Sequence, residues 1–373
     1  MRVALIATAS FDYCVEYAEM LAESCDVLLC VAEKQIAMRA FVDKRVQIAA
    51  FHWPRHRELS NLILIYKMLK QIRVWKPDIV HFLGENNIWL NLLPPLLKRI
   101  PVVTTVHDIQ YHPGDLDSRR VPRMFIQQFI RQSDAIIVHG ETLRTAALTK
   151  LPVKESAVFV FPHVPLHYYA RLAARNMLVK KCDGLFRVLF FGRIYEYKGL
   201  KYLVDAVPQV QPRLASLRII IAGRGDALVN GSSPIPLTET FDVRNRFIPD
   251  EELAQLLTDA DVVALPYVEA SQSGVLMVAL AFGLPVIATD VGEIAEVVRA
   301  TGAGIVIPPR DSTALADAIC ELATDTPLRQ ALAWNAVSAL QEGLSNRMLA
   351  MRAKEIYQAI MATYFAKFNR RDG

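Results

Sequence analysis

The stretch that most constrains the fold runs from Asp261 to Val298, DVVALPYVEASQSGVLMVALAFGLPVIATDVGEIAEVV. Val262–Leu265 is a short apolar run of strand type, Pro266–Gln272 a loop, and Ser273–Phe282 has helical composition. After Gly283 come a second apolar run, Val286–Ala288, and a turn containing Gly292. Strand, loop, helix, strand is a βαβ crossover, and its loop lies at the carboxyl end of the first strand, where open α/β sheets bind ligands. Gln272-Ser273-Gly274 at the helix start offers free backbone N–H groups and the positive end of the helix dipole, a setting suited to phosphate. Many α/β helices begin with Ser-Gly and bind nothing, so both readings stand on these residues alone. Ser273 can equally cap the helix or hold a ligand with its hydroxyl.

The rest of the chain repeats the alternation. Arg2–Ala7 reads as a strand followed by the loop Ala7–Asp12, with Ser10, Phe11 and Asp12 at the strand's end and Phe11 and Asp12 exposed. A helix over Tyr13–Ala22 and strands over Val27–Val31 and Val46–Phe51 follow. Glu58–Trp75 has helical periodicity, with Leu62, Ile65, Leu69 and Ile72 on one face and Lys67, Lys70 and Arg73 on a basic side. A packed helix and one lying on a membrane surface both fit that pattern. Asp78–Phe82 is a strand, and a helix over Trp89–Arg99 tolerates Pro94-Pro95 only with a kink or a break. Val102–Val106 is a β-branched strand that delivers His107 and Asp108 to its carboxyl end, which favours His107 over His81 and His112 as a functional group. Ser118–Gln132 joins Arg119, Arg120, Arg123 and Arg131 to Phe125, Ile126, Phe129 and Ile130, a second candidate for membrane contact. Ala135–His139, a helix over Glu141–Lys150 and Ala157–Phe161 continue the series. Pro162–Gly184 lacks periodicity and carries the change of domain. A second series then runs through Arg187–Phe191, Leu200–Val207, Leu217–Ala222, Phe241–Phe247 and Glu251–Thr258 into the opening stretch. Helices over Thr313–Ala323, Pro327–Leu340 and Met348–Phe368 close the chain.

At 373 residues, 53% of them hydrophobic, the chain has material for two ordinary domains and is not disordered. Its longest apolar runs, Leu62–Tyr66 and Leu90–Leu97, are broken well short of the roughly 20 residues that cross a bilayer. The amino terminus enters a strand directly, without signal-peptide form. Five cysteines without Cys-x-x-Cys spacing fit buried, reduced thiols, so the expected location is cytoplasmic, with peripheral attachment to the inner membrane face open. Residues 1–182 carry 24 Lys and Arg against 16 Asp and Glu, whereas the remainder carries 18 against 22. A basic first half is either an ordinary solvated surface or the mark of an anionic partner such as a membrane. No nucleic-acid partner is expected. No His/Cys cluster has zinc spacing, no carboxylate pair has glycosidase logic, and Ala-Thr-Ala-Ser after the first strand is no dinucleotide fingerprint.

Ala279-Leu280-Ala281-Phe282-Gly283-Leu284-Pro285-Val286 and Gly292 with Glu296 resemble the signature region of the retaining GT-B glycosyltransferases of family 4. Phe190-Phe191-Gly192-Arg193, continuing to Lys198-Gly199, resembles that family's opening of the second domain, and VVTTVHD its His-Asp site in the first. The family's two glutamates, eight positions apart, would fall at Ala270 and Val278, neither acidic. The Ser-Gln-Ser-Gly-Val loop looks like a subgroup that dispenses with them.

The resemblance covers nearly the whole chain. It implies an α/β fold of two Rossmann-like domains facing across a cleft, with a C-terminal helix crossing back to the first. The boundaries would be 1–168, 169–347 and 348–373. It implies a sugar transfer with retention, from a nucleotide-sugar to a sugar- or lipid-linked acceptor, with no obligatory cofactor or metal. Arg193 and Lys198 would bind the donor diphosphate, and His107 would be catalytic. Gly223, Arg224, Ile248, Gln272, Ser273, Gly274, Val275 and Glu296 would line the donor site, with Ile248 against the base, while Ser10, Phe11 and Asp108 would lie on the acceptor side. The competing reading is a non-catalytic GT-B partner that binds a sugar nucleotide or another subunit.

Overall fold

The computed structural model describes residues 1–34, 42–84, 88–109, 121–225 and 238–369. The described residues form two compact units, one holding the chain up to 164 together with everything from 343 onward, the other holding 165–342.

The first unit is built on seven parallel strands: β1 (Arg2–Ile6), β2 (Asp26–Ala32), β3 (Val46–Phe51), β4 (Ile79–Phe82), β5 (Val102–Thr105), β6 (Ala135–Val138) and β7 (Val158–Val160). Their order is β3-β2-β1-β4-β5-β6-β7. Parallel sheets bury both faces, which is why these strands read as unbroken apolar runs. On β1, Ala4 and Ile6 share a core with Leu64, Ile65, Met68, Leu69 and Ile72 of α2 (Asn61–Trp75), while Val3 and Leu5, also buried, point to the opposite face. Helices α1 (Phe11–Leu21), α3 (Arg123–Gln132) and α4 (Glu141–Lys150) complete the crossovers.

Three expectations for this unit are corrected. Phe11 is buried at 9% exposure in the first turn of α1, because that helix starts two residues earlier than its periodicity predicts. Leu62 is 52% exposed rather than packed, as it sits roughly a quarter-turn round α2 from the centre of the buried stripe. The segment around Pro94-Pro95 forms two short 3-10 turns, Trp89–Leu92 and Pro94–Leu96, since the two prolines supply no N–H to carry a helical ladder through the segment.

The second unit has six parallel strands: β8 (Phe186–Phe191), β9 (Leu217–Ala222), β10 (Phe241–Arg244), β11 (Val262–Leu265), β12 (Val286–Thr289) and β13 (Gly304–Ile307), ordered β10-β9-β8-β11-β12-β13. Its helices are α5 (Tyr168–Arg175), α6 (Leu200–Val210), α7 (Asp250–Asp259), α8 (Gly274–Ala281), α9 (Gly292–Thr301), α10 (Ser312–Thr324) and α11 (Thr326–Gln341). Phe186, Val188 and Phe190 of β8 pack with Ile219 and Ile221 of β9 beneath Leu203 and Val207 of α6 and Leu315 and Ile319 of α10. Here α5 falls where the sequence shows no periodicity, and α9 where it suggests only a turn. The last helix, α12 (Asn346–Asn369), belongs to the first unit and lies against α1, with Tyr17 Oη 3.0 Å from Tyr357 Oη.

Both sheets are doubly wound, and in each the strand order reverses once, between β1 and β4 and between β8 and β11. Ligands in such sheets bind outside the carboxyl ends of the strands at that reversal.

Candidate functional site

In the second unit the reversal places the loop after β8, residues 192–199, beside the loop after β11, residues 266–273. Gly199 adopts φ +66° there, and a Cβ on it would lie 1.9 Å from the Pro266 carbonyl oxygen, so only glycine permits this approach. Gly223, after β9, is held as closely, its Cβ position 1.8 Å from the Gly192 carbonyl oxygen. Val268 N–H donates to Tyr197 O at 2.8 Å, and Glu293 N–H donates to Ser271 O at 3.3 Å. Four strand ends are thus tied backbone to backbone.

Lys198 stands at the centre of this edge. It is 7% exposed, its Nζ lies 5.3 Å from the centroid of the Tyr267 ring, and it would sit 3.3 Å from a methyl placed on Gly192. The same methyl would be 3.3 Å from Val275 Cγ2, so Gly192, Lys198 and Val275 converge. Among the described residues no carboxylate pairs with this ammonium. A buried charge without a partner is costly, and an anion placed there removes the cost. Among the described residues, Tyr267 Oη and, farther along the same loop, Gln272 Oε1 are buried without hydrogen-bond partners, a further sign of a polar site.

Arg193 is exposed and stacks its guanidinium over Tyr195, 5.3 Å from the ring centroid. Ser273 is the N-cap of α8, its Oγ accepting from Leu276 N–H at 3.2 Å, and Gly274 and Val275 form the helix's first turn. Capping occupies that oxygen's acceptor role but leaves the hydroxyl proton available to a ligand. Arg224 is exposed beside Gly223, and Ile248 is half-buried next to Phe247, which is 77% exposed. Glu296 turns to solvent and pairs with Arg299 at 3.1 Å; the buried carboxylate of α9 is Glu293, at 8% exposure. Ala270 and Val278 bring no acid to the loop or the helix.

In the first unit three consecutive strands each deliver a histidine to one edge: His107 after β5, His139 after β6 and His163 after β7. Tyr13, from α1, packs against all of them, with ring centroids 4.9 Å from His107, 5.7 Å from His139 and 4.9 Å from His163. His107 Nε2 donates to Leu83 O at 2.9 Å, and its Nδ1 lies 3.3 Å from His139 Nε2. Burial pushes the His107 and His139 rings below the ordinary imidazole value, offset for His107 by the Leu83 carbonyl and Asp108. His163 is held down to about 3 by burial. Ser10 is exposed just before α1, and Asp108 is half-buried beside His107. His139, His163 and Tyr13 escape a reading of the sequence, though His139 follows the apolar run AIIV just as His107 follows VVTTV. The expected basic pair Arg119 and Arg120, and His112, lie outside the described residues. Among the described residues no group of three or more His, Cys, Asp or Glu is arranged to hold a metal ion.

The family model for glycosyl transferases group 1 matches residues 186–325, and that for glycosyltransferase family 4 matches residues 12–164. The chain belongs to the group 1 glycosyltransferases. It is similar to the D-inositol 3-phosphate glycosyltransferase of Corynebacterium diphtheriae, 28% identical over 284 residues, 70% of this chain and 66% of the relative, a little under two thirds of the relative's own length. The alpha-D-kanosaminyltransferase of Streptomyces kanamyceticus is 25% identical over 296 residues, 74% of this chain and 76% of that one. Among solved structures, Anabaena HepE in complex with UDP superposes with a TM-score of 0.68 at 17% identity, covering 96% of this chain and 100% of that one. The same Anabaena protein has also been solved with UDP-glucose. These likenesses show the α/β two-domain fold of the GT-B glycosyltransferases.

Proposed function

We propose that this group 1 glycosyltransferase moves a sugar from a nucleoside-diphosphate sugar to a hydroxyl of a glycolipid, polysaccharide or other acceptor. The anomeric configuration is retained and no metal is obligatory. The observation that carries the reading is Lys198, a buried ammonium at the strand-order reversal of the second unit that no carboxylate among the described residues pairs with.

A diphosphate at that point meets Lys198 Nζ, the first-turn N–H groups of α8 at Gly274 and Val275, and the Ser273 hydroxyl. These are fixed donors that need no reorganisation as negative charge gathers on the departing diphosphate. Arg193, held over Tyr195, adds a planar fork that suits phosphate oxygens. Gly223 and Arg224 lie along the same edge, and Ile248 with Phe247 offers the apolar surface for the base. The UDP and UDP-glucose found in the Anabaena relative support this class of donor. His107 and Asp108, with Ser10, serve the acceptor side from the first unit. Phe11, being buried, supports that loop from beneath. The exposed apolar and basic side of α2 supports peripheral attachment to an anionic membrane.

A panel of nucleotide-sugars scored for release of nucleoside diphosphate tests the reading directly. Release from one donor, faster with acceptor, is expected. Diphosphate binding with no cleavage of any donor would instead leave a non-catalytic GT-B partner protein.

A further inference from the structure

The hydrogen bonds of His107 and His139 leave a proton unaccounted for. A carbonyl oxygen only accepts, so His107 must carry its hydrogen on Nε2 to bond Leu83 O at 2.9 Å. By the same argument His139 carries its hydrogen on Nδ1 to bond Phe161 O at 3.1 Å. In neutral rings the remaining nitrogens, His107 Nδ1 and His139 Nε2, are then bare acceptors, yet they face each other across 3.3 Å. Turning either ring over would put carbon against the carbonyl and forfeit its bond. Two buried lone pairs so opposed repel, and one hydrogen between them turns the repulsion into an N–H···N hydrogen bond.

We propose that His139 is a positioning residue for His107, the two rings sharing one proton between His139 Nε2 and His107 Nδ1. The proton comes from solvent, and the pair then carries a single positive charge. Both ring nitrogens of His107 are committed in this state, so the ring acts on the acceptor as an oriented, charged group and not as a general base. Burial works against the charge, while the opposed lone pairs and the half-buried Asp108 beside His107 favour it. The other titratable groups facing the pair are Tyr13 from α1, His163 from the β7 loop and His81 from β4. Tyr13 packs edge-on to His107, with an interplanar angle of 82°, and holds the ring laterally without competing for either nitrogen. The role in turnover rests on the proposed glycosyltransferase reading; the shared proton does not.

The test is nitrogen NMR of the full chain with histidine labelled in both ring nitrogens, titrated from pH 8 to pH 5, with His139→Gln and His139→Leu for assignment. One additional proton entering the pair while His81 stays neutral is expected. In His139→Leu, His107 should keep its hydrogen on Nε2, fixed by Leu83 O, while its Nδ1 signal moves to that of a bare nitrogen without a hydrogen bond and the additional proton disappears from the titration. His139→Gln places an amide donor near the position of His139 Nε2, and it should restore a hydrogen-bonded Nδ1 signal without the titration. Two neutral rings throughout that range, or an unchanged His107 in His139→Leu, would overturn the proposal. Where turnover is measurable, His139→Leu should lower it at least roughly tenfold and His139→Gln should recover most of it with a flattened pH profile. Unaltered turnover and pH profile in His139→Leu would end the positioning role. Absence of turnover with every donor would count against the enzyme reading alone, with the NMR result still deciding the proton.

Discussion

Tyr357 Oη, carried by the last helix, lies 2.7 Å from His81 Nδ1 in the middle of the first sheet. His81 Nε2 in turn lies 2.8 Å from Thr105 Oγ1, and Tyr17 Oη closes the network at 3.0 Å from Tyr357. All four side chains are fully buried. The chain thus leaves the first unit at 164, builds a second sheet, and on returning is fastened by one hydroxyl to two elements near its start. Tyr357→Phe keeps the shape but leaves His81 Nδ1 and Tyr17 Oη to find other partners. A loss of about 1–3 kcal/mol, read as a lower Tm of the first unit, is expected. An unchanged Tm would mean the helix is held by apolar packing alone.

The same histidine gives a pH dependence of definite sign. Burial lowers His81 from the ordinary imidazole range to about 3, and His163 likewise to about 3. At these two residues the unfolded chain therefore binds more protons than the folded one below about pH 6.5, and their contribution to stability falls as the solution is acidified from there toward pH 3. Each such histidine contributes a slope of up to about 1.4 kcal/mol per pH unit. Thermal unfolding from pH 7.5 to pH 4.5 should show this fall, and His163→Gln should make it shallower. A Tm that rises on acidification over that range would contradict neutral, buried histidines.

Much of this architecture is legible in the sequence because parallel strands announce themselves. AIIV, VVTT and LRIIIA have no other economical reading between helices of 10–15 residues. The donor edge is legible for a related reason: Gly192, Lys198, Ser273 and Gly274 all sit at junctions between periodic segments. What escapes is tertiary. Nothing in Phe11 tells that α1 begins before Tyr13 and buries it, nor does periodicity show that Leu62 faces out while Leu64 faces in. The grouping of His107, His139 and His163 depends on β5, β6 and β7 being neighbours, which spacing along the chain does not encode. Glu293 and Glu296 differ by one turn of α9, and only the packing shows which is buried.

Membrane attachment is tested on α2. Leu59, Leu62, Ile63, Tyr66 and Val74 are all more than half exposed, alongside Lys67, Lys70 and Arg73. No described helix is long and apolar enough to cross a membrane, so binding would be at the surface. The chain should bind vesicles containing anionic lipid and release them in salt, each basic residue near the surface contributing about 1 kcal/mol at low ionic strength. Lys67→Glu with Lys70→Glu should weaken binding without changing Tm, and Ile63→Ser with Tyr66→Ser should weaken it even in low salt. Equal binding to neutral and anionic vesicles would remove the electrostatic part of the idea.

The donor clamp carries the enzyme reading, and Lys198 carries the clamp. Its ammonium is buried over Tyr267 and pairs with no carboxylate among the described residues, so in the empty protein it is a source of strain that a diphosphate relieves. Two opposite effects should therefore follow from Lys198→Met, which keeps the stem and removes the charge. The protein should become more stable, because an unpaired buried charge is replaced by an apolar group of similar length. Its affinity for the nucleoside diphosphate preferred by the wild type should fall by about 2–5 kcal/mol, or at least tens-fold in Kd. Arg193→Ala should cost less, since that side chain is exposed and solvent already screens it. Because both cations act on one anion, the double variant should lose less than the sum of the single losses. Calorimetric titration with UDP and other nucleoside diphosphates, beside thermal melts of the same samples, measures both sides. Wild-type affinity in Lys198→Met would show that the diphosphate binds elsewhere, and a lowered Tm would show that the buried ammonium supports the fold instead of waiting for a ligand.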